Sequence, residues 1–398
     1  MKNRKLRLLW ILIIGFSINS CVEPFDIKTI TYESALVIEA TITNEFKFHE
    51  IRLSRTFKIE ENGTTGESGA DIKIIDNEQN VFSFHEVSNG KYISNDKFSA
   101  KPNSSYLLRI VTKNGKIYSS SSMKLTESVD IDEIKVEKTE DNYSGISILV
   151  NSFNPSGNAN YYRYEYEETY KIIAPKWSHY ELNIVSSNPP YELEVVEKIN
   201  KETKICYKTD YSKGIIQTTT SDFNEDRVSN FKVRYILRDD IKIAHRYSIL
   251  VKQYVQSQEA YTFLKTLNDL SNSESLFSQN QPGFVTGNIV SKDNPNEKVI
   301  GFFEVSSVTS KRFFFNYKDL DLDPANHPEF KYDCKYYAPI LDKDLIDIVQ
   351  RGQLLYYFRN DGKNGPVVKP GGPYVMVSPY CGDCTSIGSS IVPSFWVE

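Results

Sequence analysis

Along most of this chain hydrophobic and polar residues alternate with a period of two. Ala70-Asp71-Ile72-Lys73-Ile74-Ile75-Asp76 is the cleanest case, and such alternation predicts a strand with one buried face. Residues 35–40, 49–53, 81–84, 90–93, 105–110 and 117–118 carry the same signature. Turn-forming residues separate them: the stretch 63–69, Asp76-Asn77-Glu78, and Asn114-Gly115, a strong hairpin signal. Short strands at this spacing predict a β-sandwich over residues 35–125.

Residues 126–130 read as a linker, and 131–398 as a larger β-rich domain. Strands are predicted at 131–137, 146–153, 161–166, 231–237, 246–253, 299–305 and 312–317, with a turn at Asn154-Pro155-Ser156-Gly157. One segment breaks the period. Between 257 and 270, Tyr261, Leu264 and Leu267 fall on one helical face, and Ser257 can cap it. A shorter helix is predicted from Lys343 to Gln350, stopped by Gly352. The expected fold class is mainly β: two β-sandwich-like domains, the second carrying an inserted helix.

The N-terminus follows a different rule. Lys2, Arg4, Lys5 and Arg7 precede an apolar run at 8–16, and Ile18-Asn19-Ser20-Cys21 follows. This is a secretory signal layout over residues 1–20. The run falls short of the roughly 20 apolar residues that span a bilayer. The cleavage region resembles a lipobox, so Cys21 is the expected lipidation site, carrying diacylglycerol with an acyl chain such as palmitate on the new amine. Residues 21–34 then form a tether, in which Glu23 and Asp26 are acidic positions shortly after the anchor.

Composition narrows the partners. A net charge of −5 argues against a nucleic-acid groove. No run of about 20 apolar residues appears after the signal either, so no membrane-spanning helix is predicted. With 26 Tyr and 22 Phe the chain is rich in aromatics that suit pleated strands.

Four cysteines remain beside Cys21: Cys206, Cys334, Cys381 and Cys384. In an exported chain an even set predicts disulfides. Cys381-x-x-Cys384 lies in a β-rich setting near the C-terminus, unlike a redox motif at a helix N-terminus. Cys206 and Cys334 are isolated, unlike paired zinc ligands. The expectation is that Cys334 bonds one of Cys381 and Cys384, and Cys206 the other. Asp319, Asp321 and Asp323 alternate as a loose calcium loop would, with Glu329 or Asn326 available to help. Pro324 and Phe330 stand where an EF-hand wants Gly and Glu, and an acidic surface face is the competing reading. His49, His85, His179, His245 and His327 are scattered and make no zinc-hydrolase pair. Glu39 and Glu50 are carboxylates that could meet after folding. The cluster Tyr161, Tyr162, Tyr164 and Tyr166 reads as core on alternate positions. Trp177, Tyr180 and Tyr191 lie in and beside a loop stretch at 172–190 and are the candidate contact surface.

The order of strands in the first domain resembles the small prealbumin-like or Ig-like modules of envelope proteins. The whole mature chain resembles a Bacteroidota lipoprotein family catalogued as domain of unknown function 4249. The matching pieces are 36–40, Asn154-Pro155-Ser156-Gly157 through Arg163, Ile205-Cys206-Tyr207, Phe223 through Val228, Gln281-Pro282-Gly283, Gly287-Asn288-Ile289, Val299 through Phe303, and Cys381-Gly382-Asp383-Cys384 through Trp396. The resemblance implies an envelope lipoprotein, often encoded beside TonB-dependent outer-membrane receptors, and brings no catalytic or ligand residues. The leading expectation is a non-enzymatic accessory or binding component of a TonB-dependent uptake system. A structural or assembly lipoprotein of the outer membrane, and a hydrolase whose site forms only on folding, are the alternatives.

Overall fold

The computed structural model describes residues 34–57, 65–139, 144–272, 285–320, 322–330 and 332–398. The signal, Cys21 and nearly all of the tether lie outside these residues, as does the Gln281-Pro282-Gly283 piece.

The first unit is built from β1 (Leu36–Thr43), β2 (Glu50–Arg55), β3 (Thr65–Gly66), β4 (Asp71–Asp76), β5 (Val81–Ser88), β6 (Lys91–Ser94), β7 (Ser105–Val111), β8 (Ile117–Ser120) and β9 (Met123–Lys124). Their alternation works as read: Ile72, Ile74, Leu108 and Ile110 are fully buried, while Lys73 and Arg109 between them are not. Gly115 takes a φ of 85° in the turn between β7 and β8, a conformation that other L-residues resist.

The second unit adds β10 (Glu133–Thr139), β11 (Gly145–Asn154), β12 (Tyr161–Ile173), β13 (Tyr180–Ser186), β14 (Glu192–Glu197), β15 (Ile205–Tyr211), β16 (Ile216–Thr219), β17 (Asp226–Leu237) and β18 (Arg246–Val255). Helix α1 (Gln258–Asn272) follows, then β19 (Ile289–Ser291) and β20 (Val299–Asn316). Ser257 caps α1, its Oγ accepting the Ala260 N–H at 3.2 Å. The sheet β10-β11-β17 packs on β15-β12-β18-β20. Ile146, Ile148, Val150 and Ile236 from one meet Tyr162, Tyr164, Tyr247 and Ile249 from the other. That is the sandwich arrangement, and the molecule is mainly β. Within its core, Glu168 is 2% exposed. It accepts Arg234 in a bidentate pair at 2.9 and 3.1 Å, the Tyr247 hydroxyl at 2.7 Å, and Lys242. Burial opposes the charge on Lys242, yet its hydrogen bonds to Asp210 and Glu168 outweigh that, and its pKa is raised.

The 18-residue β20 joins the two units. Its first half pairs in parallel with β1, Leu36 opposite Val299 through Thr43 opposite Ser306. Its second half pairs antiparallel with β18, Val255 opposite Ser307 through Arg246 opposite Asn316. β19 pairs with β8. β19 and residues 299–306 of β20, which the sequence places in the second unit, therefore belong to the sheet of the first unit. Phe303 and Val305 enter the first core and Phe315 the second.

A third, smaller core lies beyond. The β13–β14 hairpin packs on α2 (Lys343–Gln350), β21 (Leu355–Arg359) and β22 (Tyr374–Val377) through Leu193, Leu345, Ile346 and Met376. Asp342 caps α2, accepting the Leu345 N–H at 3.1 Å. The chain then makes a single helical turn, α3 (Pro379–Gly382). Two disulfides fasten this region, Cys206–Cys384 and Cys334–Cys381. The first ties the tail to β15 across 178 residues of sequence.

Candidate functional site

Side chains that point away from the cores share one face of the continuous sheet. They are the odd positions of β1 and β12 and the even positions of β18 and β20. Helix α1 covers one end of this face. The C-terminal tail covers another part: Arg312 lies 3.5 Å from the Phe395 ring centroid, Trp396 packs on Tyr207 and Phe314, and Lys171 pairs with Glu398 at 3.0 Å. Beside α1 the face opens into a cleft of about 1100 Å³.

One wall is apolar. Ala260, Phe263, Leu264 and Leu267 face it from α1, and Phe263 meets Phe302 of β20 at 5.6 Å. The floor is charged. Arg163 of β12 donates to Glu165, approaches Glu304 of β20 at 3.6 Å, and stacks 4.1 Å from the Tyr254 ring centroid. The Tyr254 hydroxyl donates to Glu165 at 2.9 Å. Glu304, 5% exposed, accepts Gln256 at 2.9 Å and Ser306 at 2.5 Å. Arg163 Nε and Gln256 Oε1 are buried without a hydrogen-bond partner among the described residues.

The electrostatics of this floor are fixed rather than switchable. Burial opposes the charge on Arg163, but Glu304 and Glu165 outweigh it and raise the pKa. Burial likewise pushes Glu165 up, but Arg163 and the Tyr254 hydroxyl hold it low. Burial and the Glu165 charge raise the Tyr254 phenol. Glu39 and Glu50 both line the cleft. Glu50 is bound by Arg52 at 2.6 Å and Lys91 at 2.9 Å, and these pairs outweigh burial and lower its pKa. A general acid working near neutral pH needs its pKa raised. Glu165 and Glu50 are shifted the opposite way.

The other candidate residues lie elsewhere. Cys206, Cys334, Cys381 and Cys384 are all in disulfides. Asp319 accepts the Asn316 N–H and side-chain amide at 2.8 and 2.9 Å, and Asp323 caps Ala325 at 2.9 Å. Asp321 lies outside the described residues. Among the described residues no group of three His, Cys, Asp or Glu is placed to hold a metal ion. Tyr162 and Tyr164 are core, as their even positions require. Trp177 packs inward, donating to Thr203 Oγ1 at 3.0 Å and standing edge-on to His179. Tyr191 packs on the third core, while Tyr180 is 51% exposed.

Sequence reading misses Arg163, Tyr254 and Glu304. The signal for Arg163 is present, since charged residues at odd positions 163–167 alternate with tyrosines at even positions 162–166. A charged position on a strand reads by default as a solvated face, and only the packing of α1 encloses it.

No curated protein matches the chain. Among solved structures, a DUF4785 family protein from Legionella pneumophila is similar at 8% identity with a TM-score of 0.16. The match covers 54% of this chain and 49% of that one, so the chain spans about half of that protein's length, and a likeness this weak carries no argument. The family described as a domain of unknown function (DUF4249) matches residues 22–312, and the chain belongs to that family.

Proposed function

We propose that this protein is a lipid-anchored outer-membrane component that binds a partner or its cargo in the cleft beside α1, as a non-enzymatic accessory of a TonB-dependent uptake system. The observation that carries the reading is the floor of the cleft. A buried guanidinium held by two carboxylates, one orphaned N–H donor and an apolar helical wall make a preformed surface for recognition. Glu165 and Glu50 are stabilised in their ionised form, which suits fixed contacts better than proton transfer. Binding of this kind requires no cofactor. The anchor rests on the signal ending at Cys21. Each buried methylene of its acyl chains contributes about 0.8 kcal/mol, so several chains hold the protein on its membrane.

The test is a pulldown from solubilised outer membranes with the wild-type chain and with the double variant Leu264→Arg/Leu267→Arg, which fills the cleft with charge. Recovery of a TonB-dependent receptor by the wild type and its loss in the variant is the expected result. Recovery of assembly machinery alone, or equal recovery of the receptor by both, would sink the proposal. Palmitate labelling that persists in Cys21→Ala would remove the anchor from it.

A further inference from the structure

We propose that a second, smaller pocket binds a free α-amino acid with an apolar side chain. The pocket, about 400 Å³, opens between the β13–β14 hairpin, β21, β22 and the turn after α3. None of its lining residues belongs to the cleft, so this site stands apart from the function proposed above.

Lys198 carries the argument. It lines the pocket, is only 9% exposed, and its ammonium makes no hydrogen bond or ion pair among the described residues. It rests 5.6 Å from the Trp177 ring centroid, and the Trp177 indole is itself held by Thr203. The side chain is largely withdrawn from water and no described group hydrogen-bonds its ammonium, although the Asp383 and Glu181 charges favour it, so a carboxylate ligand would supply the missing direct contact. Burial pushes the Lys198 amine down, against the Asp383 and Glu181 charges that favour its protonated form.

A simple anion does not fit. Glu181 and Asp383 line the same pocket, so one positive and two negative groups face the ligand. Asp383 uses Oδ1 to accept the Thr385 N–H at 2.8 Å and hydroxyl at 2.6 Å. A ligand that brings a cationic donor for these carboxylates as well as an anion for Lys198 satisfies both signs. Beside the polar Asn200, Thr203 and Thr385, one wall is apolar: Leu182, Tyr356 and Met376 belong to or pack on the third core. A zwitterion with a hydrocarbon side chain matches all three surfaces. The volume lies within the usual range for small-ligand pockets.

Calorimetric titration of the full mature chain tests this with L-leucine, leucinamide and 4-methylpentanoate. Leucine is expected to bind with a Kd below about 1 mM, and each analogue, lacking one charge, to bind about tenfold more weakly or worse. Lys198→Met keeps an aliphatic stem over Trp177 and is expected to abolish leucine binding with its thermal unfolding midpoint close to wild type. Asp383→Asn keeps the Oδ1 acceptor for Thr385 and is expected to weaken binding about tenfold, which keeps the proposal testable if the lysine variant fails to fold. No leucine binding by the wild type, equal affinity for 4-methylpentanoate, or unchanged binding in Asp383→Asn would each overturn the proposal.

Discussion

At the scale of single residues, burial decides what each polar group can do. His49 is 1% exposed and donates Nε2–H to the Phe98 carbonyl at 3.0 Å, leaving Nδ1 without a partner among the described residues. Burial, the largest effect, lowers its pKa from 6.5 to about 4. The folded state thus holds the neutral ring where the unfolded chain takes up a proton. With a depressed folded pKa, the stabilisation is fully present above pH 6.5 and is lost as pH falls towards 4. The loss amounts to about 3 kcal/mol on the scale of 1.4 kcal/mol per pKa unit. Urea unfolding at pH 7.5, 6, 5 and 4 should show this decline in the wild type. His49→Gln retains a donor for Phe98 and removes the titration, so its decline over the same range should be about 3 kcal/mol shallower. Parallel curves for the two proteins would refute the assignment.

At the scale of elements, β20 is where the two sandwich units meet, and a glycine makes the meeting possible. A Cβ on Gly301 would lie 2.5 Å from the Ile38 carbonyl oxygen and 2.8 Å from its Cβ. Backbone and a β-branched neighbour cannot yield cheaply, so β1 and β20 would have to separate. Gly301→Ala is expected to cost about 1–3 kcal/mol in denaturant unfolding, with hydrogen exchange accelerated in Leu36–Thr43. Unchanged protection there would show that the pairing tolerates the methyl group. This element also shows how far sequence reading reaches. Period two locates the buried faces of β4, β7 and β12, the Ser257 cap places the start of α1, and Gly352 the end of α2. Those signals are local. The expected strands at 299–305 and 312–317 fall in β20, but which face is buried resists the same reading because both faces are apolar near Val299–Phe303: Phe303 faces a core, Ile300 and Phe302 the cleft. Nothing in a stretch of that kind announces that its parallel partner lies 263 positions away, as Leu36 opposite Val299 does. The cleft was equally hidden, because Arg163 and Glu304 come from strands that neither touch in sequence nor pair directly.

At the scale of the whole molecule, sharing β20 implies that the first unit is not an independent piece of chain. Composition and turn signals draw a boundary near residue 125, which leaves β19 and the first half of β20 on the wrong side of it. A fragment of residues 34–125 would lose Phe303 and Val305, which are 0% and 1% exposed in its core. It would also bare the edge of β1 along all eight positions that pair with β20. Losing two such side chains from a core costs several kcal/mol, comparable to the whole stability of a small domain, and an open apolar strand edge invites association. The fragment is therefore expected to show no cooperative thermal transition and to aggregate, by circular dichroism and light scattering. The same fragment with residues 285–306 fused through a flexible linker should regain a cooperative transition, because the linker restores both the missing side chains and the edge partner. A fragment 34–125 that melts cooperatively as a monomer would show that β20 is a cover laid on a self-sufficient sandwich. If instead it behaves as argued, both units depend on one strand, and the outward face of that strand is the floor of the cleft. The geometry of Arg163 and Glu304 would then be set by the cohesion of the two sandwiches together, and a substitution such as Gly301→Ala, remote from the guanidinium, would disturb the site as well as the fold.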